Sequence, residues 1–449
     1  MLPTALTIAR TTFLESVRQP IYFILVMLCA LFQTLNTAAT GYSLGYTETS
    51  EVSGDDKLLL DLGLATVLFC GTLLAGFIAT AAVSREIENK TVLTVVSKPV
   101  SRSSVVFGKF LGGVGAVLIA QLTMIVFLLM AVRHGVLSTV RDPVDQPIVV
   151  FGLAAVAIAL LAGAWCNFFY GWHFCQTATL VLTPLIIIAF LLALNFGKEW
   201  KVQSFTKDIK PQVLTAAATL IFAQIVLTAI AVAASTRLGQ VMTIAVCFGV
   251  FVLGLLSNHL VGRHVFQNQV SGQILRVAPE IERHRSFLGS GDTYLIALRN
   301  PPARAVTPGD TIYYGPNPNG FDLASGSYPP FQGRVSDENT LFKGEGALVV
   351  TQVRPLELVI RNLGARPAQP SRPPEPDDFI FFAETKTNPL ALALWGVVPN
   401  FQFFWLTDAV TQNHPVPASH LLRVAGYAGA QTVAFLALAV ALFQRREVG

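Results

Sequence analysis

Residues 106–132 read VFGKFLGGVGAVLIAQLTMIVFLLMAV. A helix needs about 20 apolar residues to cross the hydrocarbon core of a bilayer, and this run supplies them. Helices suit lipid because they satisfy their own backbone donors and acceptors. Similar blocks recur at 21–38, 58–82, 148–168, 177–195, 213–234, 240–258 and 421–443. Together they predict an all-α polytopic membrane protein of about eight transmembrane helices. Composition points the same way: 53% of the 449 residues are hydrophobic and 13% are charged, about half the charged share of soluble domains. Mean hydropathy is +0.56 and net charge is +4. These values exclude an ordinary cytosolic enzyme, a disordered tail protein and a nucleic-acid binder working through a basic surface. The expected environment is the lipid bilayer.

The intervening segments divide the rest. In residues 1–20, Leu6, Ala9, Phe13 and Val17 fall at helical spacing, with Arg10, Glu15 and Arg18 off that stripe. This predicts an amphipathic helix at the membrane interface, and Glu15 argues against a signal peptide. A core of seven spans then covers 21–258. Residues 259–388 are polar and rich in proline and glycine. Strand signals at Thr293–Leu298, Thr311–Tyr314, Leu348–Val353 and Leu356–Arg361 predict a small inserted β-rich domain, extracytoplasmic by parity. A disordered linker is expected around Pro367–Pro376. Residues 389–420 are apolar but broken at Pro399 and Asn400. Phe401, Phe403, Phe404 and Trp405 suit the headgroup layer, so this reads as a re-entrant or interfacial segment. The last span and tail occupy 421–449. Five cysteines, Cys29, Cys70, Cys166, Cys175 and Cys247, lie in or beside apolar blocks and build no disulfide framework.

Basic residues set the orientation. Arg85, Lys90, Lys98, Arg102 and Lys109 cluster between the second and third spans, with Arg237 and the tail Arg445 and Arg446 on the same side. The first outer loop carries Glu48, Glu51, Asp55 and Asp56 against Lys57. The positive-inside rule then makes both termini cytoplasmic. One loop runs against it: Lys198, Lys201, Lys207 and Lys210, between spans five and six, fall outside.

The spans hold almost no ionisable groups. Asp61 and Arg133 stand near span ends, within reach of water. Ion-coupled transport and intramembrane proteolysis both place titratable groups at depth, so both are disfavoured. No catalytic set and no metal site is expected. Cys166, His173 and Cys175 match no zinc spacing. A phosphate-binding loop needs glycines before Lys-Ser or Lys-Thr, which Gly108-Lys109-Phe110 and Gly197-Lys198-Glu199 lack. Val270-Ser271-Gly272-Gln273 echoes a nucleotide-site signature by chance. Gln121, Thr123, Thr183, Gln224 and Thr228 line a path or bond between helices. The Gly108-x-x-x-Gly112 pair packs within the chain or against a second copy.

Residues 84–109 are the most distinctive segment. Charges at Arg85, Glu86, Glu88 and Lys90 interleave with Ile87, Val92, Leu93 and Val96, and Pro99 ends the helical pattern. By spacing alone this is a partner-binding surface helix or a solvated connector. The run Arg85-Glu86-Ile87-Glu88, Thr91, Leu93, Lys98-Pro99-Val100-Ser101-Arg102 and Gly108-Lys109 resembles the cytoplasmic signature of type-2 ATP-binding-cassette (ABC) transporter permeases. The N-terminal helix resembles their elbow helix, and Phe443–Val448 resembles their usual ending. The resemblance implies a membrane permease subunit, engaged in export, coupled to a separate ABC ATPase. Arg85, Glu86, Glu88, Thr91, Lys98, Pro99, Arg102 and Lys109 would form the ATPase-coupling interface. No cofactor is expected in this chain, because ATP would be held by the partner. A homodimer or heterodimer of permease subunits in a bacterial cytoplasmic (inner) membrane is implied. Eight spans and the inserted domain depart from the family's usual six. The competing reading is a non-transporting envelope protein whose spans anchor the 262–388 domain for binding or signalling.

This topology is testable with single cysteines in a cysteine-free background. Ser327→Cys should react with a membrane-impermeant thiol reagent in intact cells, and Ser97→Cys should not. The reverse pattern would invert the orientation.

Overall fold

The structure, a computed structural model, describes residues 2–40, 51–84, 101–136, 144–284, 287, 289, 291–328, 330–331, 335, 347–363, 370–407, 410 and 416–444. It divides into two compact units, one made of residues 1–255 and 399–449 and the other of residues 256–398.

The first unit is helical. It contains α1 (Leu2–Arg18), α2 (Pro20–Ala39), α3 (Glu51–Ala79), α4 (Arg102–His134) and α5 (Gln146–Tyr170). These are followed by α6 (Phe174–Ala193), α7 (Pro211–Ser235) and α8 (Gln240–Leu255). Among the described residues, helices α2 to α7 and a final helix, Ala418–Gln444, are seven segments long and apolar enough to cross a membrane. The count becomes eight if α8 and the following Asn258–Val265 form one broken crossing. Helices α3 and α7 are enclosed along most of their length, whereas α5 is mostly exposed. Leu68, Leu74, Ala116, Ala120 and Ala223 lie in the core. Small residues there let backbones approach, which substitutes for the hydrophobic drive that lipid removes.

Proline and capping residues set several boundaries. Pro20, Pro147 and Pro211 occupy first-turn positions, where the missing N–H is no loss. Gly171 ends α5 in a left-handed conformation (φ 67°). The Asn167 amide donates to Trp172 O at 2.6 Å and closes this tight turn into α6. Cys166, His173 and Cys175 stand around that turn, and among the described residues no group of three metal-ligating side chains comes together.

The aromatic segment differs from expectation. A 3-10 turn at Phe401–Phe404 puts its first and last rings on one side. Phe401 and Phe404 are both buried within the helical unit and are not exposed on its surface. Gly254 makes room for them, since a Cβ there would lie 2.7 Å from Pro399 O. Thr219 Oγ1 of α7 donates to Phe404 O at 2.8 Å.

The second unit is β-rich. Its strands are β1 (Phe266–Gln267), β2 (Gly272–Pro279), β3 (Thr293–Leu298), β4 (Tyr313–Gly315), β5 (Leu348–Arg354), β6 (Glu357–Asn362), β7 (Phe379–Phe381) and β8 (Lys386–Thr387). Six form an antiparallel sheet ordered β4-β7-β2-β3-β6-β5, and β1 pairs with β8. Strand β3 alternates cleanly, burying Tyr294, Ile296 and Leu298. The interior strand β2 was not among the expected strands. A register shift between Ile274 and Arg276 breaks its alternation and leaves Leu275 exposed. Val270–Gln273 therefore leads into this strand. After it come α9 (Pro389–Val397), capped by the Asn388 side chain, and in the helical unit α10 (Ala418–Gln444).

The described part of the expected linker, Pro370–Pro376, is tied to the sheet. Arg372 makes a bidentate pair with Asp378 at 2.7 and 2.6 Å, and its carbonyl accepts from Tyr314 Oη at 2.6 Å. A planar guanidinium on a buried carboxylate is a strong, orienting contact, sufficient to order a proline-rich strip.

Burial pushes the phenols of Tyr314 and Tyr328 above their usual range. Burial, then the Glu384 charge, does the same to Tyr313. An unfolded tyrosine ionises near pH 10, while these stay neutral in the fold. Their contribution is complete below about pH 10 and is lost as pH rises beyond it toward the folded values. Circular dichroism and 295 nm absorbance of the whole protein should therefore show these phenols ionising only together with loss of the sheet. Smooth titration near pH 10 with the sheet intact would contradict this burial.

Candidate functional site

Of the residues expected at the coupling interface, Arg85, Glu86, Glu88, Thr91, Lys98 and Pro99 lie outside the described residues. The structure does define both roots of their segment. On one side, α3 ends in a π-helical turn at Thr80–Ser84. Such a turn widens the hydrogen-bond ladder, and these turns are frequent at functional positions. Ser84 Oγ donates to Leu238 O at 2.9 Å, fixing this root to the α7–α8 connection.

On the other side, Ser101 caps α4, its hydroxyl accepting from Ser104 N at 3.3 Å. Arg102 Nη1 donates to Gln444 O at 2.7 Å and reaches Phe443 O at 3.5 Å. These are the last described carbonyls of α10, and a guanidinium is a strong donor to main-chain oxygens. Arg102 therefore holds this part of α10 against the start of α4.

Two turns further on, Lys109 is only 6% exposed, and its ammonium donates to Ala82 O in the π-turn. A buried cation requires such acceptors, because burial without them is costly. Lys109 thus joins the two roots directly. Sequence placed Arg102 and Lys109 beside the segment, but their partners on α10 and the π-turn are distant in the chain and carry no local signal.

Helix α1 is built into the same region. A Cβ on Gly108 would lie 2.7 Å from Ala5 O, and one on Gly112 would lie 2.8 Å from Thr12 Cβ. The glycine pair accordingly receives the α1 backbone within one chain. Gly113 faces elsewhere, toward Ile78.

The polar residues of the spans form bonds between helices. Thr123 and Thr183 hydroxyls meet at 2.7 Å, linking α4 to α6. Gln224 Nε2 donates to Leu68 O at 3.0 Å, linking α7 to α3. Gln33 and Asn36 of α2 donate to Gly63 O and Leu59 O of α3 at 2.8 and 2.9 Å. Thr228 bonds only within its helix, and the Gln121 amide has no hydrogen bond among the described residues. All four of Gln121, Thr123, Gln224 and Thr228 are fully buried inside this chain, and among the described residues Thr123 and Gln224 are the two that bond between helices.

Residues 6–171 match the sequence model of the family described as ABC-2 family transporter protein. The match supports an ABC-2 type permease. It covers α1 to α5 with the segment between α3 and α4, and leaves the β-rich unit outside. ABC-2 permeases generally work with an ATPase subunit. No curated protein and no solved structure matches this chain.

The glycine contacts yield a graded test on the purified permease in detergent. Gly112→Ala drives a methyl into α1 and should cost about 1–3 kcal/mol, read as a lower thermal unfolding temperature. Gly115→Ala meets only the Phe13 ring at 3.5 Å and should be neutral or stabilising, by up to about 1 kcal/mol. Equal effects would remove the case for an elbow seated on this stripe.

Proposed function

We propose that this chain is the membrane subunit of an ABC exporter, driven by a separate ATPase that docks on residues 85–100. One observation carries the reading: both roots of that segment are fastened to other helices. Ser84 holds the α7–α8 connection, Lys109 joins root to root, and Arg102 holds the end of α10. A displacement imposed there is passed to α3, α4, α10 and the α7–α8 connection at once, which is what a lever requires.

ATP binding and hydrolysis are assigned to the partner, and the interleaved charges of Arg85, Glu86 and Glu88 to its docking cleft. The translocation path is assigned to the interface of two permease subunits, in a homodimer or a heterodimer. Burial of Gln121, Thr123, Gln224 and Thr228 within one subunit supports this, since those side chains are already engaged in packing. Both termini and the docking segment face the cytoplasm of a bacterial inner membrane in this scheme.

The test is to purify the chain with its ATPase and substitute Arg85→Ala and Glu86→Ala together. Assembly should weaken by roughly tenfold or more, as for a charged pair central to an interface, and stimulated ATP hydrolysis should fall with it. Unchanged assembly and unchanged stimulation would remove the lever.

A further inference from the structure

The loop between α6 and α7, whose four lysines oppose the charge rule, forms one wall of a cavity of about 730 Å3. The end of α4 and the start of α5 form the remainder. The loop is well built. Phe196 and Val202 bridge as short antiparallel strands, and Gly197 N donates to Lys201 O at 2.6 Å. Trp200, in the left-handed region at φ 63°, sits against the Phe151 and Phe196 rings. Its indole donates to Gln146 Oε1 at 3.0 Å.

Arg133 lies at the base of this cavity. Contrary to the expectation that it reaches water, its side chain is 4% exposed. Its Nε stands 3.1 Å from Asp208 and 3.5 Å from Asp145, and its Nη1 has no hydrogen-bond partner among the described residues. Two carboxylates thus share one guanidinium, and Glu199 pairs with Lys201 at 3.0 Å. Lys198 donates to the His134 carbonyl at 3.1 Å. Lys207 and Lys210 line the cavity with no carboxylate partner among the described residues. Counting Arg133 and four lysines against Asp145, Glu199 and Asp208 leaves two positive charges in excess.

A second cavity, about 520 Å3, begins at the neighbouring positions His134 and Ile148. It is apolar, lined by Leu31, Phe127, Met130, Val149 and Leu153 between α2, α4 and α5. A cationic chamber beside an apolar groove at one end of the helical unit has the polarity of a single amphiphile. A soluble anion would leave the groove unused, and a neutral lipid would leave the charge unmatched.

We propose that these adjoining cavities bind an anionic phospholipid, with its phosphate among Lys198, Lys207 and Lys210 and an acyl chain along the groove. This binding does not depend on the coupling scheme above, and it gives the four lysines a local counter-charge on a face where the charge rule disfavours them. The phosphate supplies acceptors to the lysine ammonium groups, which act as point charges with rotatable donors.

The experiment is native mass spectrometry of the full chain titrated with dioleoylphosphatidylglycerol, with dioleoylphosphatidylcholine as the neutral-headgroup control. Phosphatidylglycerol should bind more tightly and should raise the unfolding temperature by mass action. The double variant Lys207→Gln and Lys210→Gln, both exposed, should weaken it by roughly tenfold or more, and added salt should weaken it further. Equal binding of the two lipids would overturn the proposal, as would unchanged affinity in the double variant. Displacement of the lipid by inorganic phosphate at comparable concentration would also overturn it, assigning the charge to a soluble anion.

Discussion

Water is absent from the hydrocarbon core of a bilayer, so polar groups placed there must find partners within the protein. That constraint explains the helices, and it also explains the side chains between them. Gln33, Asn36 and Gln224 spend their amide donors on main-chain carbonyls of α3, and Thr123 meets Thr183. The glutamine bonds need close helix approach, and glycines supply it. A Cβ at Gly71 would lie 2.7 Å from Gln224 Cδ, and one at Gly63 would lie 3.0 Å from Gln33 Oε1. Polar glue and small residues are therefore one device in this bundle.

The same demand governs the charged residues. Lys109 is buried where a π-turn presents the carbonyl of Ala82. Arg133 is buried where two aspartates and the Phe196 carbonyl come from elsewhere in the chain to meet it. Both cations sit at ends of one helix, α4, and each marks a place where the bundle is joined to something further. At one end that is the segment proposed to receive the ATPase, and at the other the chamber proposed to hold a lipid phosphate.

How much of this could be read from sequence depends on range. Helices of 20 residues or more announce themselves by hydropathy, and the structured spans begin and end within a few residues of the apolar blocks. Strands β3, β5 and β6 were legible because buried and exposed residues alternate or a turn intervenes. Strand β2 was hidden by its bulge. The burial of Phe401 and Phe404 was hidden because it depends on Gly254, nearly 150 residues earlier. At the candidate site, the segment and its flanking cations were visible as local charge pattern, while the carbonyls they grip were not. A main-chain acceptor leaves no mark on the residue type that carries it.

The grip of Arg102 on the last carbonyls of α10 has one more consequence. The clasp joins two helices that are more than 300 residues apart in sequence, so α4 and the last described turn of α10 are carried along together. Because the acceptors belong to the backbone, the exposed side chain at 444 can change without loosening this joint, whereas the Phe443 ring, buried with Val106 and Phe110, braces it from the apolar side.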